Sequence, residues 1–353
     1  MRHLTAFVLA ALLILSLFAC ARNTRDETAD AITTVEPSAA TEPFEDTDGP
    51  AATETAGSTE EPEIPVSSVP LMWRVSDAEG HALYLFGTCH AGDERNAGVF
   101  ERVAPVVASC DALAVEANTV AYVKNVDQMA NDMKQYILTD GSAVSDHMPE
   151  ELYERTYDLL AQAKMHPDLF LKYNLAWWEQ LVDEALMTIY SDLDFENAME
   201  DKLINFAYEK EMPVLEVESV PFQMGLLNSF DDELYLILIE DMMENRESYR
   251  DDLNELYELW LSGDRDAFWE FLSSEDEEDE DPDKYTEEQI ALIEDYDRKL
   301  LDDRNLGMRD RAIEYLASGD TVFFAVGAAH MANDIGLVHL LSDAGYTVEE
   351  VDY

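Results

Sequence analysis

The sequence predicts an α/β protein with a central, largely parallel sheet, built from two strand–Gly-x-x-His–helix–strand units with a large helical insertion between them. An apolar run leads directly into Gly-x-x-His at two places, residues 82–86 before Gly87 and residues 322–326 before Gly327. Each run is apolar at consecutive positions and rich in aromatic or β-branched residues, which favours a strand buried on both faces. The matching register of the two copies indicates a distant internal duplication.

The segments after each motif predict the same topology. Helical patterns at about 98–109 and 336–343 are each followed by a short apolar strand, at 112–115 and 346–348. Glycine allows the chain to turn sharply off a strand, so we expect the motif histidines just beyond the C-terminal edge of the sheet. Ligands bind at that edge in open α/β sheets.

Between the two units, from about 120 to 317, the pattern is mostly helical with charged outer faces. Examples are the segments 152–165, 175–190 and 253–271. Residues 213–218 interrupt this pattern as another buried strand that ends in carboxylates. We expect Trp177 and Trp178 to pack inside the insertion rather than to bind a ligand.

The N-terminus has the features of an export signal. Residues 1–19 combine a basic start, an apolar stretch and a small residue before Cys20, as in a bacterial lipoprotein signal. The apolar stretch, roughly 15 residues, is short for a membrane-spanning helix, so we expect lipidation of Cys20 rather than a transmembrane anchor. The protein would then be extracytoplasmic and attached to the bacterial cell membrane through this lipid only.

The next segment, residues 20–68, is an acidic sequence rich in Thr, Glu, Pro and Ala. Such a chain buries too little apolar surface to offset its ordering entropy, so we expect a disordered tether. The remaining residues, 69–353, form the predicted folded domain, and we interpret the acidic run at 275–283 as a surface loop.

Charge and cysteine content exclude some functions. The net charge is −55, from 77 acidic and 22 basic residues. This charge argues against binding to nucleic acid or to anionic lipid headgroups through a basic face. Cys89 and Cys110 lie at opposite ends of the first predicted helix, beyond disulfide reach, so we expect free thiols.

His90 and His330 are the leading candidate site residues. A single histidine near a strand end is usually a hydrogen-bonded structural residue, but the repeated register makes convergence of two imidazoles the better interpretation. Both rings precede helices, where the positive dipole end disfavours imidazolium, so we expect them to be neutral. Converging neutral imidazoles are typical of a metal site.

Carboxylates follow two of the predicted strands. Glu116 closes the strand 112–115, which we expect to pair beside the first motif strand. Glu216 and Glu218 share one face of a later strand, and alternation does not decide which side chain faces the cleft. Two histidines with one or two carboxylates suit Zn²⁺, Mn²⁺, Co²⁺ or Fe²⁺.

Arg304 and Asn305 are conspicuous because basic residues are scarce in this chain. One interpretation is a salt bridge on a helix surface. The other is a guanidinium that faces the cleft and holds a substrate carboxylate or a developing oxyanion. His-Glu-x-x-His, Gly-x-Ser-x-Gly, P-loop and Gly-x-Gly-x-x-Gly motifs are absent from the sequence, which lowers the standing of zincin, serine-hydrolase and nucleotide-binding functions.

Together these residues resemble the TraB/PrgY/GumN family, which is related to the Tiki proteins and more distantly to erythromycin esterases and ChaN-like proteins. The resemblance covers residues 73–351. Its most specific pieces are Leu85-Phe86-Gly87-Thr88-Cys89-His90, Glu116 after an apolar strand, Glu218 with Gln223, Arg304-Asn305, and residues 324–330 followed by Gly336, Leu341 and residues 345–348. The spacing to Gln223 favours Glu218 over Glu216 as the family's acidic position, and Cys89 departs from the family pattern.

The resemblance implies a metal-dependent hydrolase of the peptidase type, as proposed for Tiki proteins, with both motif histidines and a glutamate at the metal. We therefore expect His90, Glu116 and His330 to bind a divalent ion. Its bound water would attack the peptide bond of an extracytoplasmic peptide.

The remaining residues of the resemblance receive supporting roles. Glu218 is expected to be the general base or a further ligand, and Arg304 to bind a substrate carboxylate or oxyanion. Asn305 and Gln223 are expected to contact the substrate.

Two alternatives belong to other classes of function. The first is a non-catalytic surface lipoprotein that binds a peptide or signal and sequesters it. The second, suggested only by the distant ChaN relationship, is haem capture through the same histidines.

Overall fold

The computed structural model describes residues 70–273, 284–332 and 335–353. The predicted signal, Cys20, the tether and the acidic run at 275–283 lie outside these residues. The strands are β1 Met72–Ser76, β2 Ala82–Thr88, β3 Ala112–Val115, β4 Val214–Glu216, β5 Val322–Gly327 and β6 Thr347–Glu350. The helices before β4 are α1 Arg95–Ala108, α2 Thr119–Tyr122, α3 Val126–Asp132, α4 Glu150–Gln162, α5 Leu175–Tyr190 and α6 Met199–Glu209. Those after it are α7 Val220–Leu227, α8 Asp232–Glu244, α9 Tyr249–Ser262, α10 Arg265–Ser273, α11 Glu287–Asp297, α12 Asp303–Ser318 and α13 Leu337–Asp343.

The fold is α/β, with one mixed, largely parallel sheet of six strands in the order β4-β3-β5-β2-β1-β6. Strands β4, β3, β5 and β2 are parallel, whereas β1 pairs antiparallel with both β2 and β6. The two motif strands are direct neighbours: Leu83 pairs with Val322 and Gly87 with Val326. Both Gly-x-x-His turns therefore leave the sheet at the same edge, side by side.

Consecutive apolar residues in the central strands supply both faces of the sheet, as their pattern predicts. On one face, Phe86, Leu113 and Phe323 join a core that includes the helices of the long segment between β3 and β5. On the other face, Leu85 and Phe324 pack with α12 and α13. This two-sided burial explains why alternation of polar and apolar residues is missing from these strands.

Three details differ from the sequence predictions. Strand β3 lies beside β5 rather than beside β2, because the second motif strand inserts between the two strands of the first unit. Strand β4 is half-exposed rather than buried, since it forms the edge of the sheet. The predicted helix 253–271 is two helices, α9 and α10, separated by Gly263 in the left-handed conformation (φ 71°).

The two motif glycines serve close approach rather than a sharp turn with positive φ. A Cβ on Gly87 would lie 2.9 Å from Ala328 Cα, which real Cβ atoms do not tolerate. A Cβ on Gly327 would instead enter the space between candidate site residues. Both positions need glycine because backbone or functional groups pass close to the Cα atom.

Three further findings concern membrane-spanning helices, the two cysteines and the two tryptophans. Within the described residues, no helix has the length and apolar character needed to cross a membrane. Cys89 and Cys110 are free thiols, as their predicted separation required. Trp177 and Trp178 are buried inside the helical part of the protein, as predicted.

Candidate functional site

The C-terminal edge of β2, β3 and β5 carries a cluster of buried polar side chains. His90 follows β2, Glu116 follows β3, and His330 lies in a 3₁₀ turn directly after β5. All three side chains are more than nine-tenths buried. Parallel strands end at the same edge of a sheet, so the topology brings these three positions together.

His90 is held by a carboxylate from the helical part of the protein. Its Nδ1 atom lies 2.7 Å from Glu200 Oε1, and the Thr88 hydroxyl donates to the same oxygen. A carboxylate only accepts, so the Nδ1 atom carries the proton and Nε2 faces the cluster. Burial opposes a charge on this ring, but the neighbouring Glu200 carboxylate outweighs it and raises the pKa of His90.

Glu200 is therefore ionised beside a ring that tends to be charged. Burial works against the carboxylate, yet His90 and the Thr88 hydroxyl lower the pKa of Glu200. This carboxylate acts against the helix-dipole effect from which a neutral His90 was predicted.

His330 has the opposite electrostatic environment. Its Nδ1 atom lies 2.6 Å from Asn305 Oδ1, a neutral partner on α12. Burial and the nearby Arg304 guanidinium hold the pKa of His330 well below its usual range. The ring is therefore neutral, and its Nε2 atom lies 3.7 Å from Glu116 Oε1.

Glu116 accepts hydrogen bonds from three different residues. Its Oε1 atom accepts a hydrogen bond from the Gly327 N–H at 2.6 Å. Its Oε2 atom accepts from Arg304 Nη2 at 2.7 Å and from Gln223 Nε2 at 3.1 Å. Both oxygens are thus fixed by donors from three separate segments of the chain.

Arg304 joins Glu116 to Glu218. Its Nε and Nη2 atoms lie 2.9 Å from the two oxygens of Glu218, and its Nη1 donates to the Leu300 carbonyl at 3.1 Å. Gln223 donates to Glu218 at 2.9 Å as well. Burial disfavours the guanidinium charge, but the two carboxylates raise the pKa of Arg304 above its usual value.

Glu218, and not Glu216, belongs to this cluster. Glu216 is exposed, and its carboxylate accepts from the Asn118 backbone N–H at 2.9 Å near the start of α2. The Glu218 side chain is only 9% exposed and faces Arg304. The strand position that alternation left open is therefore assigned by contacts.

A turn of π-helix precedes Arg304. Residues Arg298–Asp302 form this turn between α11 and α12, with the Asp303 N–H bonded to the Arg298 carbonyl. Such turns occur often at functional sites because they re-aim side chains within an otherwise regular helix. Here the turn positions the Arg304 guanidinium, which also donates to the carbonyl of Leu300 inside it.

Gly327 marks the point where the cluster converges. A Cβ at this glycine would lie 3.1 Å from Glu116 Oε1, 3.3 Å from His90 Nε2 and 3.6 Å from His330 Cδ2. Because both distances start from the same point, His90 Nε2 and His330 Cδ2 can be no farther apart than the sum of the last two distances. The structure thus brings together His90, His330 and Glu116 around one backbone position.

The histidines line a cleft of about 480 Å³, a volume that includes the solvent at its open end. We call it the histidine cleft. One wall consists of residues 88–90 and 327–330, and the other of Leu256, Trp260, Phe268 and Leu272 from α9 and α10. Glu218 and Arg304 line a second, larger cleft with Lys299 and Arg311.

Cys89 lines the histidine cleft but has no nucleophilic character. Burial raises the pKa of its thiol to about 12, so the thiolate is scarce at neutral pH. A neutral thiol is a poor nucleophile and a poor metal ligand. Its position between Thr88 and His90 matches the structural role expected for a small residue in a tight turn.

The donor atoms of the cluster are of types that bind a divalent ion. Their positions, however, do not form a complete ligand set. Each imidazole has its Nδ1 atom hydrogen-bonded to an oxygen, as metal-binding histidines usually do, and Glu116 supplies a carboxylate oxygen beside them. Across 70–273, 284–332 and 335–353, however, no three His, Cys, Asp or Glu side chains are grouped so that they could hold a metal ion. A third protein ligand would require Glu116 Oε1 to release the Gly327 N–H.

Sequence reasoning missed Glu200. It lies in the first turn of α6, in a stretch without a recognisable motif, and reaches His90 across 110 residues of sequence. Its only local signal is an acidic residue at a helix start, which is common on surfaces. Its burial, and hence its function, follows only from the packing of α6 against α1 and β3.

Comparison with protein families identifies this chain as a member of the TraB/PrgY/gumN family, whose family model matches residues 71–350. The match covers most of the chain and includes every residue of the cluster. Comparison with curated proteins and with solved structures gives no significant match. The family resemblance in the sequence is confirmed.

Proposed function

We propose that this protein is a hydrolase, acting as a peptidase on extracytoplasmic peptides, with a divalent metal ion held by His90, His330 and Glu116. One observation carries the proposal: two anchored imidazoles and a carboxylate oxygen meet at Gly327, on the floor of a cleft. Buried, hydrogen-bonded polar groups in a concave site are what a hydrolytic reaction requires.

The ion would polarise the scissile carbonyl and lower the pKa of a bound water. Glu200 and Asn305 would fix the orientation of the two rings through their Nδ1 atoms. Glu116 would be the third ligand, in exchange for its hydrogen bond from the Gly327 N–H. No side chain of the cluster then needs to become a covalent nucleophile.

Arg304 and Glu218 support a positioning role better than direct contact with the substrate. The guanidinium donates to Glu116, Glu218 and Leu300, so its donors are engaged by the protein itself. Both Glu218 oxygens are engaged by Arg304, and one also by Gln223. We therefore propose that Arg304 keeps Glu116 in place, and that Glu218 and Gln223 hold these two residues.

A metal-independent mechanism is the second candidate, and the opposite environments of the two histidines favour it. The pKa of His90 is raised and that of His330 is lowered, a division of roles typical of an acid and a base. His330 would take a proton from the attacking water at Nε2 and deliver it to the leaving amine as the C–N bond breaks, while protonated His90 would donate from Nε2 to the developing oxyanion.

A digest of a peptide library by the detergent-solubilised protein, with metal analysis before and after chelation, tests both candidates. Loss of cleavage on chelation and recovery with one added divalent ion supports the metal-dependent peptidase. Unchanged cleavage after complete metal removal supports the acid–base pair. Tight peptide binding without any product under all metal conditions contradicts both and leaves the sequestering lipoprotein.

We also propose that the protein is anchored outside the cytoplasm by a lipid on Cys20. The lipobox-like end of the predicted signal supports this, and these residues lie outside the described part of the chain. Incorporation of labelled palmitate into the wild type and not into Cys20→Ser is the expected result. Equal labelling of both proteins contradicts it.

A further inference from the structure

The second cleft, which Glu218 and Arg304 line, runs between α7 and α12. One wall comes from residues within 217–229 and the other from residues within 299–311. The cleft offers about 640 Å³, and ligand sites commonly have roughly 300–1,000 Å³. It is therefore large enough for a ligand, and the function proposed above does not use it.

Contacts at the two ends of the second cleft show that α7 and α12 run along it in opposite directions. At the end near β4, Arg311 Nη2 donates to the Glu216 carbonyl at 3.1 Å. At the other end, Lys299 Nζ lies 5.2 Å from the centre of the Phe230 ring, just after α7. Arg311 and Lys299 thus mark the two ends of a groove between the helices.

The middle of the second cleft is apolar and open. Phe222 lines it and is 50% exposed, and Leu226, one turn later on α7, lines it as well. Across the cleft, a Cβ on Gly307 would meet no atom within 4 Å. Asp303, Gly307 and Arg311 are spaced four residues apart, so about 12 Å of α12 faces the cleft. That length fits about three or four residues of an extended peptide.

Basic residues are concentrated beside this cleft. Residues 298–311 contain five of the 22 basic residues of the chain and three acidic residues, a net charge of +2 in a chain of net charge −55. The two acidic residues that line the cleft are each bonded to an arginine, Glu218 to Arg304 and Asp303 to Arg298. Because these carboxylates are already paired, they repel an anionic ligand less than free carboxylates would.

Lys299 is the cation that can turn to a ligand most readily. Its Nζ atom lies 2.7 Å from Asp295, and both side chains are more than a third exposed. Exposed pairs of this kind add little stability, so a ligand carboxylate can replace Asp295, and an ammonium group has three donors. Arg311 is less available, because its two Nη atoms donate to Glu314 and to the Glu216 carbonyl.

We infer that the second cleft binds the C-terminal end of a peptide, with the free carboxylate on Lys299. The last side chain, an apolar one, lies against Leu226, and an earlier one lies against Phe222. A single carboxylate is favoured over a polyanion, which the net charge of −55 would repel. This binding site goes beyond the proposed hydrolysis and does not depend on it.

A peptide suits the lining better than a fatty acid does. The hydroxyl groups of Ser219 and Ser229 and the charged groups of Asp303 and Arg304 line the cleft together with its apolar residues. An acyl chain would remove water from these polar groups and offer no hydrogen bonds in return. A peptide backbone supplies both donors and acceptors.

A titration with matched probes tests the role of Lys299. The probes are N-acetyl-leucyl-leucine, its C-terminal amide and octanoate, titrated by saturation-transfer NMR against the full-length protein in detergent. The free acid should bind about tenfold more tightly than the amide, because only the acid pairs with the ammonium group. Lys299→Gln should remove this tenfold preference and leave binding of the amide unchanged.

Lys210→Gln is the matched control for Lys299→Gln. Lys210 Nζ also lies over a phenylalanine ring, 5.3 Å from the centre of Phe206, and its loss changes the net charge by the same amount. The preference for the free acid should persist in this variant. Equal binding of both peptides to the wild type, or an undiminished preference in Lys299→Gln, overturns the inference.

A second pair of variants fills the middle of the cleft without changing any charge. Gly307→Leu places a side chain in the open space, and binding of both peptides should weaken at least about tenfold. Gly225→Leu is the control: this helical glycine also has no atom within 4 Å of its Cβ position, and it is not among the described residues that line the cleft. Replacing glycine favours a helix in both variants, so unfolding does not explain a difference between them.

The outcomes separate this inference from the proposed function. Tighter binding of octanoate than of the free dipeptide would mean a lipid site and would refute the peptide. Peptide binding that Gly307→Leu leaves intact would place the ligand elsewhere. Each titration follows binding alone, so the inference stands without peptide cleavage, and the proposed hydrolase stands without binding in this cleft.

Discussion

The carboxylates buried at the sheet edge and those buried in α5 have opposite electrostatic environments. At the sheet edge, Glu116 is 1% exposed and paired with Arg304, while Glu200 is paired with His90. In the middle of α5, Glu179 and Asp183 are each 1% exposed as well. Neither of these has a basic side chain among the partners found in the described part of the chain.

Burial has its full effect in the second region. It raises the pKa of Glu179 to about 7, although a hydrogen bond from Gln180 acts in the other direction. Burial also raises the pKa of Asp183 well above its usual value, against the hydrogen bond that Tyr249 donates at 2.6 Å. Burial therefore raises the pKa of Glu179 and of Asp183, whereas Glu116 and Glu200 at the sheet edge lie beside Arg304 and His90.

Burial without a basic partner raises the pKa of a carboxyl group in this protein. Glu116 and Glu200 are instead paired with Arg304 and His90, and such buried pairs often cost more in desolvation than they return in stability. A charged, buried cluster therefore points to function, while the acids of α5 are a structural matter.

Substitution of the motif histidines should produce the largest effect. His90→Ala and His330→Ala should each reduce peptide hydrolysis about 10²- to 10⁴-fold, because each removes a group that acts on the reacting atoms. His147→Ala, which removes a histidine paired with an exposed Asp232, is the control. Initial rates with a fluorogenic peptide measure the effect, and near-normal rates in either motif variant would remove the catalytic role from the sheet edge.

Arg304→Met removes the basic partner of the buried carboxylates at the sheet edge. It leaves Glu116 and Glu218 buried without their cation, and removing one partner of a buried ion pair costs about 3–5 kcal/mol. The control is Arg309→Met on the same helix, whose partner Asp310 is exposed and which should change stability little. Urea denaturation gives the two free energies of unfolding, and equal losses would contradict the distinction between the regions.

Glu179→Gln tests the buried acids of α5. It should raise the free energy of unfolding at high pH, whereas Arg304→Met should lower it. The folded-state pKa of Glu179 is about 7, above its ordinary 4.5, so the folded protein retains a proton that the unfolded chain loses between these values. The free energy of unfolding therefore falls as pH rises from about 4.5 to about 7 and then levels off.

The glutamine variant lacks this part of the pH dependence. It should match the wild type near pH 4.5 and exceed it at pH 8 by at most roughly 3 kcal/mol, since a tenfold change in proton affinity is worth ~1.4 kcal/mol. Glu240→Gln, at an exposed position on α8, is the control. A variant that is less stable than wild type at pH 8 would mean that Glu179 is ionised and paired in the folded protein.

Glu200→Gln should have the smallest of these effects. It retains the shape of the side chain and removes the charge that raises the pKa of His90, so that pKa should fall. Changing the carboxylate that orients a metal-binding histidine reduces metal affinity or activity about 10-fold to 100-fold. NMR titration of the His90 ring, with the exposed Glu196→Gln as control, measures the change, and an unaltered pKa would show that Glu200 does not control this ring.

The sequence predicted the parts of the fold that local pattern determines. Continuous apolar runs identified β2, β3 and β5, and the repeated motif indicated that His90 and His330 would meet. Strand β1 escaped prediction because Met72–Ser76 is short and includes Arg74, which carries no clear period. The place of β5 between β2 and β3 depends on long-range pairing, which a single sequence does not encode visibly.

Within the site, the identity of charged residues was predictable but their pairing was not. Glu116, Glu218 and Arg304 were all candidates, yet no sequence pattern indicated that the guanidinium would hold both carboxylates instead of a ligand. The charge of His90 depends on Glu200, a partner far away in the chain. The interactions that control protonation depend on tertiary structure, because they join residues that are far apart in the sequence.

The π turn before α12 makes the site sensitive to chain length. In an α-helix each residue adds about 100° of rotation, so the loss of one residue from Arg298–Asp302 would restore a regular helix and swing everything before it by that angle relative to α12. Helices α11 and α12 could not then both retain their packing. A one-residue deletion here should accordingly be far more harmful than a conservative substitution, which makes the spacing between α11 and Arg304 as much a part of the site as any side chain.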